Sequence, residues 1–126
     1  MLQDAHYEGC SVCVGSVGDT AIVEVTGEVD MASASLLVRA LGDAVQSGSG
    51  SLILDVQRLT YIDSAGLQAL ISTLQSMEEL GREMVIAGCH GIFRKLMEIG
   101  RFDTRFQMFA TVEEAIDALR EKVLPG

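Results

Sequence analysis

The amino-acid sequence predicts an α/β protein: one mixed, mostly parallel β-sheet with an antiparallel edge strand, packed with about four helices. Three observations carry that expectation. Apolar residues at three- and four-residue spacing mark helices that alternate with short strand-like runs. Two of those runs, LILDV at 52–56 and REMVIAG at 82–88, are almost continuously apolar, as strands covered by helices on both faces must be. The first two strand-like segments are separated only by Gly18-Asp19, a turn that joins antiparallel neighbours and is too short for a crossover.

The elements follow in order. CSVCVGSV at 10–17 places Val12 and Val14 in alternation and pairs across the turn with TAIVEVTG at 20–27. From Met31 to Val45 the residues Ala34, Leu37, Leu41, Ala44 and Val45 form a helical stripe, which SGSGS at 47–51 ends. LILDV is the next strand and QRLTYID at 57–63 reads as a linker. Leu67, Leu70, Ile71, Leu74 and Met77 then give a second helix, with Gln68, Ser72, Gln75 and Ser76 opposite and Gly81 as its stop. After REMVIAG, Ile92, Leu96 and Ile99 predict a shorter third helix ending near Gly100, and RFQMF at 105–109 a short strand. Thr111 and Glu114 form a capping box for the last helix, whose stripe is Val112, Ala115, Ile116, Leu119 and Val123, until Pro125. The order is β-β-α-β-α-β-α-β-α in one domain, 1–126, with its core over about 10–122; periodicity leaves the strand order open.

A chain of 126 residues with 48% hydrophobic content can bury one sizeable core. Nine basic against eighteen acidic residues give a formal charge of −9, which repels nucleic acid and anionic membrane surfaces. No apolar run approaches the roughly 18 residues of a membrane span, and the opening MLQDAHYEGC is acidic where a leader would be basic. The expectation is a cytoplasmic protein that neither binds nucleic acid nor inserts into a membrane.

The three cysteines lack framework spacing. Cys10 and Cys13 look like half of a zinc or redox site, with Cys89, His6 and His90 as the only further ligands of that kind. Residues three apart on a strand point to opposite faces, so no metal site and no disulfide is expected.

The junction YIDSAGLQAL at 61–70 puts Ser64 where a strand-to-helix loop enters the second helix. As caps, Asp63 and Ser64 are each worth about 0.5–2 kcal/mol over alanine. Two cappers are redundant, however, and the small residues of SAG leave the hydroxyl uncovered. A phosphate there would carry about −1.5 to −2 charges beside the positive end of the helix dipole, tolerated by its own fold and read by a partner docked over the loop. A hydrolase reading fails: no G-x-S-x-G surrounds Ser64, and no motif marks His6 or His90 as its base. GSVGD and SGSGS lack the Lys-Ser/Thr of a phosphate-binding loop.

VTGEVDMASA at 25–34, LILDVQRLTYIDSAGLQAL at 52–70 and GREMVIAG at 81–88 together resemble a STAS domain, the family of bacterial anti-sigma factor antagonists and of the cytoplasmic domains of sulphate transporters. The resemblance implies a STAS fold and no cofactor or catalytic residue. It implies that Ser64 is phosphorylated by a partner that is both anti-sigma factor and serine kinase, that a serine phosphatase reverses this, and that only the unphosphorylated form binds the anti-sigma factor. The family's acidic residue near the switch serine corresponds to Asp30, which also reads as a cap of the first helix. The implied contact surface comprises Asp30, Met31, Ser33, Asp63, Ser64, Ala65, Gly66 and Gln68, with Gly66 explained equally by a close partner or by packing on a neighbouring strand. The other family-level reading is a constitutive scaffold or assembly subunit of a signalling complex or transport system. The chain departs from the family pattern at Arg101, where relatives are usually apolar, and in CHG at 89–91, which lacks a frequent proline. Four of the nine basic residues, Arg94, Lys95, Arg101 and Arg105, cluster in this segment.

Overall fold

The computed structural model describes residues 3–7 and 9–123. Strands β1 (Gln3–Tyr7), β2 (Cys10–Val17) and β3 (Thr20–Val29) lead to helix α1 (Ala34–Ser47); β4 (Leu52–Asp55) and β5 (Leu59–Ile62) lead to α2 (Ser64–Glu79). β6 (Met84–Ala87), α3 (Gly91–Ile99), a 3₁₀ turn at Phe102–Thr104, β7 (Gln107–Phe109) and α4 (Val112–Val123) complete the order.

The strands form one sheet in the order β1-β2-β3-β4-β6-β7, with β5 branching from β3. β1/β2 and β2/β3 pair antiparallel and the remaining pairs are parallel, so the mixed, mostly parallel sheet is as expected. Two strands depart from the sequence reading. β1 lies outside β2 and takes over the antiparallel edge; its polar sequence QDAHY carries no apolar alternation. β5 occupies part of the segment read as a linker, because it is four residues long and only Leu59 and Ile62 are buried.

Alternation along β3 sends Ala21, Val23, Val25 and Val29 to one face, where they join Val12, Leu52, Leu54 and Ile86 beneath α1, α2 and α3. Ile53, Val85 and Ala87 point the other way, against Ala115 and Leu119 of α4. β4 and β6 are buried at every position, as a strand between two helical layers must be. Each fully buried Leu or Ile contributes about 1.5–3 kcal/mol, so these short strands anchor the sheet despite having four residues apiece.

The helix boundaries have local causes. α1 begins at Ala34, three residues later than the apolar spacing suggested, because Asp30 and Ser33 close a turn ahead of it. Its expected stripe of Ala34, Leu37, Leu41 and Ala44 is buried. α2 ends in a Schellman arrangement: Gly81 takes a φ of 69°, its N–H bonds the Glu78 carbonyl, and the Arg82 N–H bonds that of Met77. Arg82 then donates from Nε to the Gly50 carbonyl at 2.7 Å and from Nη1 to that of Val45 at 2.9 Å, tying the end of α2 to the end of α1.

α3 corrects the expected stripe: Phe93 and Met97 are its buried residues, Leu96 is half-buried and Ile99 is 77% exposed. A large aromatic with Met one turn later fills the space by β5, and the helix rotates to suit it. The side chains of His6, Ile92 and Val123 lie outside the described residues. In α4 the Glu114 N–H bonds Thr111 Oγ1 at 3.1 Å, while the Glu114 carboxylate reaches the Ala110 N–H, one residue beyond the expected partner. Among the described residues no helix is long and apolar enough to cross a membrane.

Candidate functional site

The end of β3 and the end of β5 build the site. Val29 and Ile62 are register partners in parallel strands, and the Asp63 N–H continues the ladder to the Val29 carbonyl at 3.0 Å. Asp30 and Asp63, each the next residue along its strand, therefore leave the sheet side by side and lead into α1 and α2.

Asp63 caps α2. Its Oδ1 accepts the N–H of Ala65 at 3.0 Å and of Gly66 at 3.2 Å, and its carbonyl accepts that of Leu67. Ser64 is the first helical residue, exposed, and its hydroxyl has no hydrogen-bond partner among the described residues. The capping role thus falls to Asp63 alone. One refinement follows: with the Ala65 and Gly66 amides occupied, a phosphate on Ser64 would find only the Ser64 N–H and the helix dipole, not a ring of open donors.

Asp30 is held by its neighbour. The Ser33 N–H donates to Asp30 Oδ1 at 3.0 Å, the Ser33 hydroxyl donates to the same oxygen at 3.0 Å, and the Asp30 N–H donates to Ser33 Oγ at 2.9 Å. The Ser33 amide, then its hydroxyl, hold the Asp30 carboxyl below the usual carboxylate range, so the exposed group stays charged. The Asp30 carbonyl accepts the Ala34 N–H at 2.8 Å. Asp30 therefore secures the turn before α1 while Ser33 occupies the N-cap position itself.

The expected contact residues divide by exposure. Asp30, Met31, Ser64 and Gln68 are exposed, Met31 at 81%, and Asp63 and Ala65 are half-buried. Ser33 and Gly66 are buried and shape that surface from beneath. Ser33 is 1% exposed because its hydroxyl turns inward to Asp30. Gly66 packs against the sheet so closely that a Cβ would lie 2.5 Å from Ile62 Cγ1 and 2.8 Å from Val29 Cγ1, so packing on the neighbouring strands accounts for the glycine. Tyr61 is 45% exposed beside Glu28, in a four-residue strand that the sequence presented as a linker.

Other chemistry is elsewhere. His90 Nε2 lies 2.6 Å from the Gln57 carbonyl, in the loop between β4 and β5. Cys10 faces the core and Cys13 the opposite side of β2, as the strand period requires, and none of the three cysteines is in a disulfide. Burial pushes the Cys10 and Cys89 thiols up, away from reactivity. Among the described residues no three His, Cys, Asp or Glu side chains are grouped to hold a metal ion.

The sequence pattern of the STAS domain matches residues 14–115. The chain belongs to the STAS domain family. Anti-sigma-F factor antagonist RsfB of Mycobacterium tuberculosis is 24% identical over 113 residues, covering 90% of this chain and 92% of its own. The crystal structure of an anti-sigma factor antagonist from Mycobacterium paratuberculosis superposes with a TM-score of 0.83 at 22% identity, over 92% of this chain and 98% of that one. The anti-sigma factor antagonist SpoIIAA in its unphosphorylated form gives a TM-score of 0.74 at 20% identity, over 99% of this chain and 100% of that one. Bacillus SpoIIAA in its phosphorylated form gives 0.67 at 20% identity, over 94% and 98%. At these identities the solved structures bear on the fold, which this STAS domain shares with them.

Proposed function

We propose that this STAS domain is an anti-sigma factor antagonist switched by phosphorylation of Ser64. The observation that carries the reading is the division of labour at the start of α2: Asp63 makes the cap, and the neighbouring hydroxyl stands exposed with no structural duty. The unphosphorylated chain binds an anti-sigma factor that is also a serine kinase, releasing the sigma factor; the kinase writes phosphate on Ser64, and a serine phosphatase removes it. Ser64 accepts the group and catalyses nothing. The relative named as an anti-sigma factor antagonist over nearly the whole chain supports the reading, as does a structural neighbour solved in unphosphorylated and phosphorylated forms.

The added charge is about −1.5 to −2 at neutral pH, on a surface where Asp30 and Asp63 are already adjacent. Because the exposed hydroxyl has no hydrogen-bond partner among the described residues, the modification acts on the docked partner and leaves the core as it was. Incubation with the cognate anti-sigma kinase and ATP labels the unmodified chain and not Ser64→Ala. Label persisting undiminished in Ser64→Ala overturns the site, and capture of the anti-sigma factor by Ser64→Glu as strong as by the unmodified chain overturns the exclusion mechanism.

A further inference from the structure

A groove of about 410 Å³ runs between α1 and α2, walled by Val38, Gly42 and Val45 on one side and by Ala65, Ala69 and Thr73 on the other. From Ala65 to Ser76 it follows about three helical turns, roughly 16 Å at 1.5 Å per residue. None of its lining residues is ionisable, on a chain of formal charge −9, and Val38 leaves 54% of its surface exposed there. Arg82 fixes the spacing of the two helices at the far end by bonding the Val45 and Gly50 carbonyls.

Gly42 adds no side chain to the α1 wall of the groove. It stands in the interior of α1, where glycine is less stable than alanine, and its φ is not in the left-handed region. A Cβ at this position meets nothing within 4 Å, in contrast to Gly66, whose Cβ has no room. The fold itself has no use for glycine at 42; the missing side chain leaves the wall of the groove bare. At its other end the groove runs into the switch face, because Ala65 and Gln68 belong to both and Ser64 precedes Ala65 at the mouth.

We infer that the groove seats an amphipathic helix of the anti-sigma factor, laid along α1 and α2 with an uncharged apolar face inward and one end against Ser64. The inference rests on the function proposed above and names the contact that phosphate interrupts. Helix-in-groove docking takes apolar anchors at i, i+3 or i+4, and i+7, which three turns accommodate. Charges on that helix belong at its Ser64 end, where basic residues would meet Asp30 and Asp63.

The test titrates the cognate anti-sigma factor against the full chain by calorimetry. Gly42→Leu fills the groove from its wall, and Val38→Glu places a charge in it; both leave Ser64 and Asp63 intact. The expected result is a melting temperature no lower than that of the unmodified chain for Gly42→Leu, with affinity weakened by at least about tenfold in both variants. Both variants binding as tightly as the unmodified chain overturns the docking site and leaves the switch at Ser64 standing. An unmodified chain that captures no anti-sigma factor overturns the function and the docking site together. Concentration-dependent self-association that Gly42→Leu abolishes, seen by sedimentation, assigns the groove to a second copy and overturns the anti-sigma helix as occupant.

Discussion

Ser33 and Asp30 satisfy each other in both directions: the Ser33 N–H donates to the Asp30 carboxylate at 3.0 Å, and the Asp30 N–H donates to the Ser33 hydroxyl at 2.9 Å. Ser33 thereby positions an exposed acid without itself reaching the surface. Ser33→Ala removes one donor to the carboxylate, so the Asp30 pKa rises toward the ordinary range, read by carboxylate NMR titration. An unchanged Asp30 titration contradicts the assignment. The pH sign follows from the depressed value: Asp30 adds stability above the ordinary carboxylate pKa of about 3.9, and that contribution is lost as pH falls through the lower folded value. Ser33→Ala flattens this part of the acid limb.

Asp63 and Ser64 are adjacent polar residues with unequal duties. Asp63→Ala loses the cap of α2 and costs about 1 kcal/mol, within a range of 0.5–2, in urea denaturation. Ser64→Ala changes stability by less than about 0.5 kcal/mol. The reverse ranking would make Ser64 the cap and remove the basis for treating its hydroxyl as spare.

Gly66 and Gly42 both stand inside helices and respond to alanine with opposite signs. At Gly66 the new Cβ is driven into Ile62 and Val29, an overpacking cost of about 1–3 kcal/mol that outweighs a helix-propensity gain of about 1 kcal/mol. At Gly42 nothing opposes that gain, so Gly42→Ala stabilises by about 0.5–1 kcal/mol. Thermal melts of the two variants decide the matter; a stabilised Gly66→Ala would mean that the strand side chains yield.

Arg101 holds a φ of 60° as the residue before the 3₁₀ turn. An L-residue there costs about 1–2 kcal/mol that glycine avoids. Arg101→Gly raises stability by about 1 kcal/mol in denaturant titration, less the entropy glycine adds to the unfolded chain; a loss of stability would show that the exposed arginine makes a contact worth more than its strain.

Most of the architecture was legible because it rests on periodicity. Val23 and Val25 alternate, Leu37, Leu41 and Ala44 recur each turn, and LILD and MVIA are apolar throughout. The misses have a common cause, the absence of any period to read. QDAHY is polar because it forms an edge, LTYI is too short, and Phe93 and Met97 of α3 are separated from Ile99 by which neighbour each meets. At the site, Asp63 as cap and Ser64 as open hydroxyl could be read from their order. The burial of Ser33 and Gly66 could not, because it depends on Asp30, Val29 and Ile62 arriving from separate strands or turns.

The fork in β3 has a mechanical consequence. Its first half pairs with β4 through Glu24, and from Gly27 onward, with a register shift between Gly27 and Glu28, it pairs with β5. The serine hangs from this second prong, while the fully buried strands β4 and β6 are bonded to each other and β4 to the first. β5 is buried only at Leu59 and Ile62 where β4 and β6 are buried throughout, so the prong that carries the serine is the less deeply rooted of the two, and regions of a fold open at separate free energies. Ser64 thereby stands at the helix start on the lighter prong, with the central ladder of β4 and β6 behind it.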